Sequence, residues 1–598
     1  MKFFKKLVTC VMAVCILLSA TACGGNRYSK MTVLNVGIYD GGLGHVWLEK
    51  VAAAFEEKFK ETSFEEGKVG VYIDLNPTKK EMLNDNVAAA IDSNRYMEDV
   101  YFLCDYTGVP WIINGRTLNI TDMVEQKVYL DNGELADMEY DAATGKLKLK
   151  EGATAPTKSI YDKIKGSNKE GYYISAEKLA AAGSNKEAGY YALPFENSLS
   201  GFIYDRDLFE SSSWFKNRDG SYKYHGIDNL PDTMDEFFEM LDNMVMAGIT
   251  PFATSTDVIY YERGLADAFL AQYEGYETAE LDYTLNGTYE FPAGTFSDAL
   301  IAEMEVGDYV KNENGKQVVT VNRDTGWMLA YTEGKEEMCK FMRKLFDPKY
   351  YDDRIYDNNF KYQTCPQAFI LSKTPPKGTQ RIAMLYEGEW WENENRQHFK
   401  GKGNEYGTRD FRFFPLPEIP GQKTENRSLG DFSCGVDIVV NAKTQYANLA
   451  KIFLQFVHSE SALETFTMET GITRMYDYDL SPEQLSEISK FGQSVYKMKM
   501  TEDSGVTVVS SRAKMIADPF WEEFQMGFGG YCLSDRVGTP GTWDFTQHPS
   551  YYFVDYAGVL TGKSKITAEY FIEGMHDYYR KNWKARLKTF NELHGITE

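Results

Sequence analysis

The stretch Ile382-Ala383-Met384-Leu385-Tyr386-Glu387-Gly388-Glu389-Trp390-Trp391-Glu392-Asn393-Glu394 sets two large aromatics among four carboxylates, directly after an apolar run. Phe520-Trp521-Glu522-Glu523 repeats the association, and Tyr260-Tyr261-Glu262 does so in weaker form. Flat aromatics cover the apolar C–H faces of a sugar ring, while Asp, Glu and Asn take directional hydrogen bonds from its hydroxyl rim. Any one tryptophan could equally be a packing residue. Their recurrence beside carboxylates makes Trp390, Trp391, Trp521 and Tyr260 candidates for ring stacking. The acids allow a rival chemistry, because two carboxylates flanking one glycosidic bond at about 5–5.5 or 6.5–9.5 Å would hydrolyse it. Such pairs usually come from separate strands, and the density of Glu387, Glu389, Glu392 and Glu394 is not itself a catalytic pair.

Other chemistries lack their motifs. The loop Gly42-Leu43-Gly44-His45-Val46-Trp47 places Trp47 where a dinucleotide-binding loop needs its third glycine. No phosphate-binding Walker loop, Gly-x-Ser-x-Gly elbow or His-Glu-x-x-His helix occurs. The seven histidines stand far apart, and Asp477-Tyr478-Asp479 and Asn217-Arg218-Asp219-Gly220 are fragments of calcium loops without the remaining ligands. No metal and no cofactor is expected.

The elements that must position these residues alternate between strand and helix, which argues for an α/β fold. Val33 to Tyr39 reads as a strand, Asp40-Gly41-Gly42-Leu43-Gly44 as a tight loop, and Trp47, Val51, Phe55 and Phe59 as one face of a helix. A second strand over Val69 to Leu75, a helix from about Lys79 to Ser93, and a third strand over Asp99 to Leu103 follow. Ligands of open α/β sheets sit beyond the carboxyl ends of strands. Asp40 and Asp105 occupy such ends, where each could instead serve as a helix cap or turn residue. The stretch from about Asp131 to Gly189 reads as an irregular, loop-rich excursion. Thr233 to Met246 reads as a helix, Leu449, Ile452, Phe453 and Phe456 form a helical apolar stripe, and Ala568 to His594 reads as a C-terminal helical cap.

The N-terminus carries a basic start, an apolar stretch from Leu7 to Leu18, and small residues up to Cys23, the pattern of a secretory signal over 1–22. Ala20 and Ala22 before Cys23 resemble a bacterial lipobox, with lipidation at Cys23 and a tether over 23–30; ordinary secretion with a free Cys23 thiol is the alternative. Of eight cysteines, Cys104, Cys339, Cys365, Cys434 and Cys532 remain, widely spaced and read mostly as buried thiols. The 64 Lys and Arg against 88 Asp and Glu give a net charge of −24, without the basic clusters that nucleic acid requires. The 9 Trp, 41 Tyr and 36 Phe exclude a disordered acidic chain.

Several of these features together resemble the extracellular solute-binding lipoproteins of ATP-driven sugar importers, the maltose-binding-like family, in its long Gram-positive form. The features are the lipobox, the first strand and helix, Gly115 to Asp122, Ala192-Leu193-Pro194-Phe195-Glu196, Ile203 to Phe209, Gly388-Glu389-Trp390, Val436 to Asn441, and Leu454 to Gly471. The resemblance implies an α/β, two-lobed periplasmic-binding-protein-like fold with discontinuous lobes and a hinge. One lobe would take 31–195 plus 434–506, the other 196–433 plus 507–598. It places ligand contacts at Asp40, Asp105, Glu196, Tyr260 or in its stead Tyr261, Trp390 and Trp521, with Trp390 matching a strand-end tryptophan that stacks on sugar in the family. It further implies a monomer without catalysis, anchored by lipid to the outer face of the cell membrane, passing an oligosaccharide to importer transmembrane subunits. The alternatives are a surface-anchored glycoside hydrolase and a peptide-binding or adhesive lipoprotein.

Overall fold

Two separate sheets organise the chain in the computed structural model. It describes residues 28–95, 98–104, 106–166, 168–195, 198–255, 259–357, 359–425, 427–431, 436–500, 505–509 and 567–593. The first sheet opens with strand Thr32–Tyr39, whose Leu34, Val36 and Ile38 are buried. Val71–Thr78 and Val100–Cys104 pair with it in parallel on either side. Helix Val46–Lys58 covers this unit with Trp47, Leu48, Val51, Ala52 and Phe55, the face set by the fourfold spacing of its apolar residues. The next strand in the sheet comes from far along the chain: Val436–Val440 runs antiparallel to Val100–Cys104 and in turn pairs with Leu193–Pro194. Both Val100–Cys104 and Val436–Val440 are buried along their full length, as near-continuous apolar runs in a sheet covered on two faces should be.

The second sheet runs in the order Ile249–Ala253, Arg381–Gly388, Leu199–Asp205, Arg427–Asp431, Val506–Val509, with Phe411–Phe414 also paired to Leu199–Asp205. Its first pair is parallel, and Leu199–Asp205 is antiparallel to its neighbours. Asp205 at the end of that central strand is fully buried and held by Arg381 and Arg409, so a carboxylate that would otherwise be costly in the interior is paired twice. Helix Met234–Met246 begins at Thr233 with a capping box closed by Glu236.

Three features were not read from the sequence. Residues 131–190 hold one small hairpin, Met138–Asp141 with Lys146–Leu149, and a two-residue pairing of Tyr173–Ile174 with Gly189–Tyr190 across the helix Ala176–Ala181, each too short to carry a sequence period. A three-stranded antiparallel sheet of Gly287–Pro292, Lys316–Val321 and Val310–Glu313 lies beside the second sheet's core. Helix Lys490–Met500 buries Phe491 and Val495 with the second sheet's residues and Tyr496 with the first sheet's, so it touches both. The C-terminal helix Ala568–Leu593 is present as expected and packs Met575, Tyr579, Trp583 and Phe590 into the second sheet's core.

Candidate ligand-binding site

The strand ends of the two sheets meet at a cavity of about 550 Å³. The first sheet supplies the loop Asp40 to Gly44 and Lys79, which follow strands Thr32–Tyr39 and Val71–Thr78. The second supplies Gln363, Thr364 and Gln367 around helix Thr364–Leu371, and the segment Asn393 to His398 beyond strand Arg381–Gly388. Contacts across the cavity join the two sides. Asn393 donates through Nδ2 to the carbonyls of Gly42 at 2.9 Å and Leu43 at 3.3 Å. Lys79 lies 3.6 Å from Glu394, whose carboxyl is pushed up by burial against the pull of that ammonium. Arg396 donates to Asn393 Oδ1 at 3.1 Å, to the Tyr406 hydroxyl at 3.3 Å and to the Glu469 carbonyl at 2.9 Å. Asp40 is steadied by the His45 ring, with Nδ1 2.9 Å from its Oδ1.

Trp390 does not line this cavity but stands at its edge. The indole is half-buried and packs on apolar residues of both sheets. Two glycines make room for it. A Cβ on Gly388 would fall 2.2–2.4 Å from its six-membered ring, and one on Gly42 would fall 2.8–2.9 Å from its Cβ, Cδ1 and Cγ. The glycine that ends one strand and the glycine loop that follows another therefore form the seat of a single tryptophan.

The neighbouring Trp391 corrects the sequence reading. It is fully buried against Phe369, Phe399, Phe411 and Phe491, with ring centroids 4.9–5.9 Å apart, and no face remains for a ligand. Trp391 opens the helical turn Trp391–Glu394, so its side chain turns inward while Trp390 stays at the seam. The acids around them are likewise mostly interior. Glu387, Glu389 and Glu392 are buried, Glu389 is paired with Lys499 at 2.9 Å, and only Glu394 of the four reaches the cavity.

Of the other expected contacts, Asp40 lines the cavity. Asp105, Glu196, Trp521 and Cys23 lie outside the described residues, as do Cys434 and Cys532. Tyr260 belongs to helix Ile259–Glu274, and its side chain is also outside the description. Lys79, Gln363, Gln367, Gln397 and His398 were not anticipated. Lys79 stands directly after a strand, where the rule that singled out Asp40 would have found it. The short helix carrying Gln367 has Pro366 in its first turn and shows no amphipathic period that could have marked it.

Two α/β sheets with separate cores, meeting at a polar cavity beyond their strand ends, define a two-lobed binding protein. The profile of bacterial extracellular solute-binding proteins matches residues 47–464, and the chain belongs to that family. The apo form of RafE from Streptococcus pneumoniae shares the fold with a TM-score of 0.50 at 13% identity, over 92% of this chain and 98% of that one. A chitin oligosaccharide binding protein gives 0.50 at 13% identity over 94% and 100%. A structure from work on xylan utilisation by the thermophilic bacterium Caldanaerobius polysaccharolyticus gives 0.50 at 11% identity over 93% and 99%. None of the curated proteins compared matches the chain in sequence.

Proposed function

We propose that the protein captures an oligosaccharide outside the cell and presents it to the transmembrane subunits of an ATP-driven importer. The observation that carries this reading is the seam itself, where Trp390 rests on glycines from both sheets beside a cavity rich in hydroxyl-matching side chains. A ring stacked on Trp390 adds about 0.5–1.5 kcal/mol beyond its buried area. Hydrogen bonds from both sides make the closed form the tighter binder, which is the condition for ligand to drive closure. The structural relative that binds chitin oligosaccharide supports the ligand class.

The same proposal includes a secretory signal over 1–22, lipidation of Cys23, a tether to residue 30, and action as a monomer on the extracellular face of the cell membrane. It assigns 31–195 and the segment from 434 to one lobe, and 196–433 with the end of the chain to the other. This division is supported by the first sheet's strands lying at 32–104, 193–194 and 436–440. We set the last return to the second lobe just before Val506 and not at 506/507, a placement supported by strand Val506–Val509 pairing within the second sheet.

Calorimetric titration of the protein from residue 26 with neutral oligosaccharides tests the reading. Trp390→Ala should lose most of the binding while keeping its fold by circular dichroism. Gly388→Ala should do nearly the same with Trp390 left in place in the sequence, because the added Cβ collides with the indole and unseats it. Unchanged affinity in both variants, or release of cleavage products from labelled oligosaccharide, would overturn the proposal.

A further inference from the structure

The cavity and the Trp390 platform are two surfaces and not one. They share Gly42, which lines the cavity and abuts the indole, but among the described residues no Phe, Tyr or Trp lines the cavity, and its one ring is the His398 imidazole. Its wall is made of amides and charges of both signs. Asn393 and Thr364 spend their side chains on structure, through the Gly42 and Leu43 carbonyls in one case and the Asn359 carbonyl in the other. The amides of Gln363, Gln367 and Gln397 make no hydrogen bond to other described residues, and each offers two donors and an acceptor.

We propose that this cavity is a separate subsite for an uncharged, hydroxyl-rich end unit of the ligand, read by the Gln363, Gln367 and Gln397 amides instead of by ring stacking. The inference rests on the oligosaccharide reading above. A volume of about 550 Å³ falls within the range of small-molecule sites. An anionic end would meet Asp40 and Glu394, and a cationic end would meet Lys79, whereas a hydroxyl, donor and acceptor at once, suits every group present. The three glutamines come from the second sheet's side and face a loop of the first. Occupancy of the cavity therefore joins the lobes independently of Trp390, and a chain long enough to reach both surfaces gains twice.

The test is calorimetric titration with neutral xylo- and chito-oligosaccharides of two to six units and with the same oligomers oxidised at one end to a carboxylate. The wild type, Gln363→Leu/Gln367→Leu and Trp390→Ala would be compared. Affinity for neutral oligomers should rise with length in the wild type. The double glutamine variant should lose at least tenfold for the longest oligomer that binds, while keeping the affinity of the shortest. Carboxylate-ended oligomers should bind more weakly than neutral ones to the wild type, and this penalty should shrink in the double variant. A double variant with the wild-type length dependence, or tighter binding of the carboxylate-ended forms, overturns the subsite and leaves the Trp390 reading standing. Absence of binding by every oligomer overturns both.

Discussion

Glu392 lies two residues beyond the proposed ring platform, buried, with Oε1 lacking a hydrogen-bond partner among the described residues. Burial pushes its carboxyl up to about 7, against the hydrogen bond from Ser489, the charges of Arg396 and Arg409, and the Gly407 backbone. Burial, and after it the charge of Glu392, holds the Tyr406 phenol above its ordinary value. A carboxyl raised from 4.5 binds its proton more tightly in the folded state. Its stabilising contribution is therefore complete below about pH 4.5 and is lost as pH rises through about 7. The loss amounts to about 3 kcal/mol across that window. Urea unfolding of the wild type should show stability falling from pH 5 to 8 more steeply than in Glu392→Gln; parallel slopes would refute the assignment. At this scale the sequence pointed to residues 382–394 but could not separate neighbours. Trp390 and Trp391 have the same chemistry, and a single helical turn sends one to the seam and the other into a cage of phenylalanines. Asp40 was legible because strand ends have a fixed relation to clefts, whereas the glutamines of the cavity carry no signal of their own.

Helix Lys490–Met500 shows how one element can fix the relation between two sheets. Its Lys499 donates to both oxygens of Glu389, at 2.9 and 3.1 Å, and to the Thr473 carbonyl at 2.7 Å. Both charged groups are buried. Burial pushes the Glu389 carboxyl up and Lys499 opposes it. Removing one partner leaves a buried charge without compensation, which typically costs about 3–5 kcal/mol, while replacing both with apolar groups costs far less. Lys499→Met should accordingly lower the urea midpoint more than Glu389→Leu/Lys499→Met; the reverse order would show that the pair does not bear the load assigned to it. Helices with an apolar stripe, such as Val46–Lys58, Met234–Met246 and Ala447–Val457, were readable from their period. Which sheet a helix serves was not readable, because Phe491, Val495 and Tyr496 are all large apolar residues and only the assembled lobes show which core each enters.

Across the whole molecule, the second sheet's core is completed by the last described segment of the chain. Trp583 of helix Ala568–Leu593 donates through Nε1 to the Arg323 carbonyl at 2.8 Å and packs so closely on Gly326 that a Cβ there would lie 2.8 Å from its ring. His576 stacks on Tyr331 with centroids 3.8 Å apart. Trp583→Ala should cost about 3–5 kcal/mol, seen in denaturant as an earlier unfolding of the second lobe with the first unmoved; a single shifted transition would mean that the lobes unfold as one. Alternation of strand and helix made the α/β class legible, but the interleaving of segments was expected only from resemblance, since nothing in a local pattern says that residue 438 belongs beside residue 102. That pairing bears on how the chain is made. The strand Val436–Val440 stands inside the first sheet, between Val100–Cys104 and Leu193–Pro194, so the opening third of the polypeptide lacks an interior strand until more than 400 residues have been synthesised. Contacts this distant slow folding. The first lobe therefore cannot close its sheet when its opening third is made, and its interior is completed only once residues 436–440 are available to pair with residues 100–104.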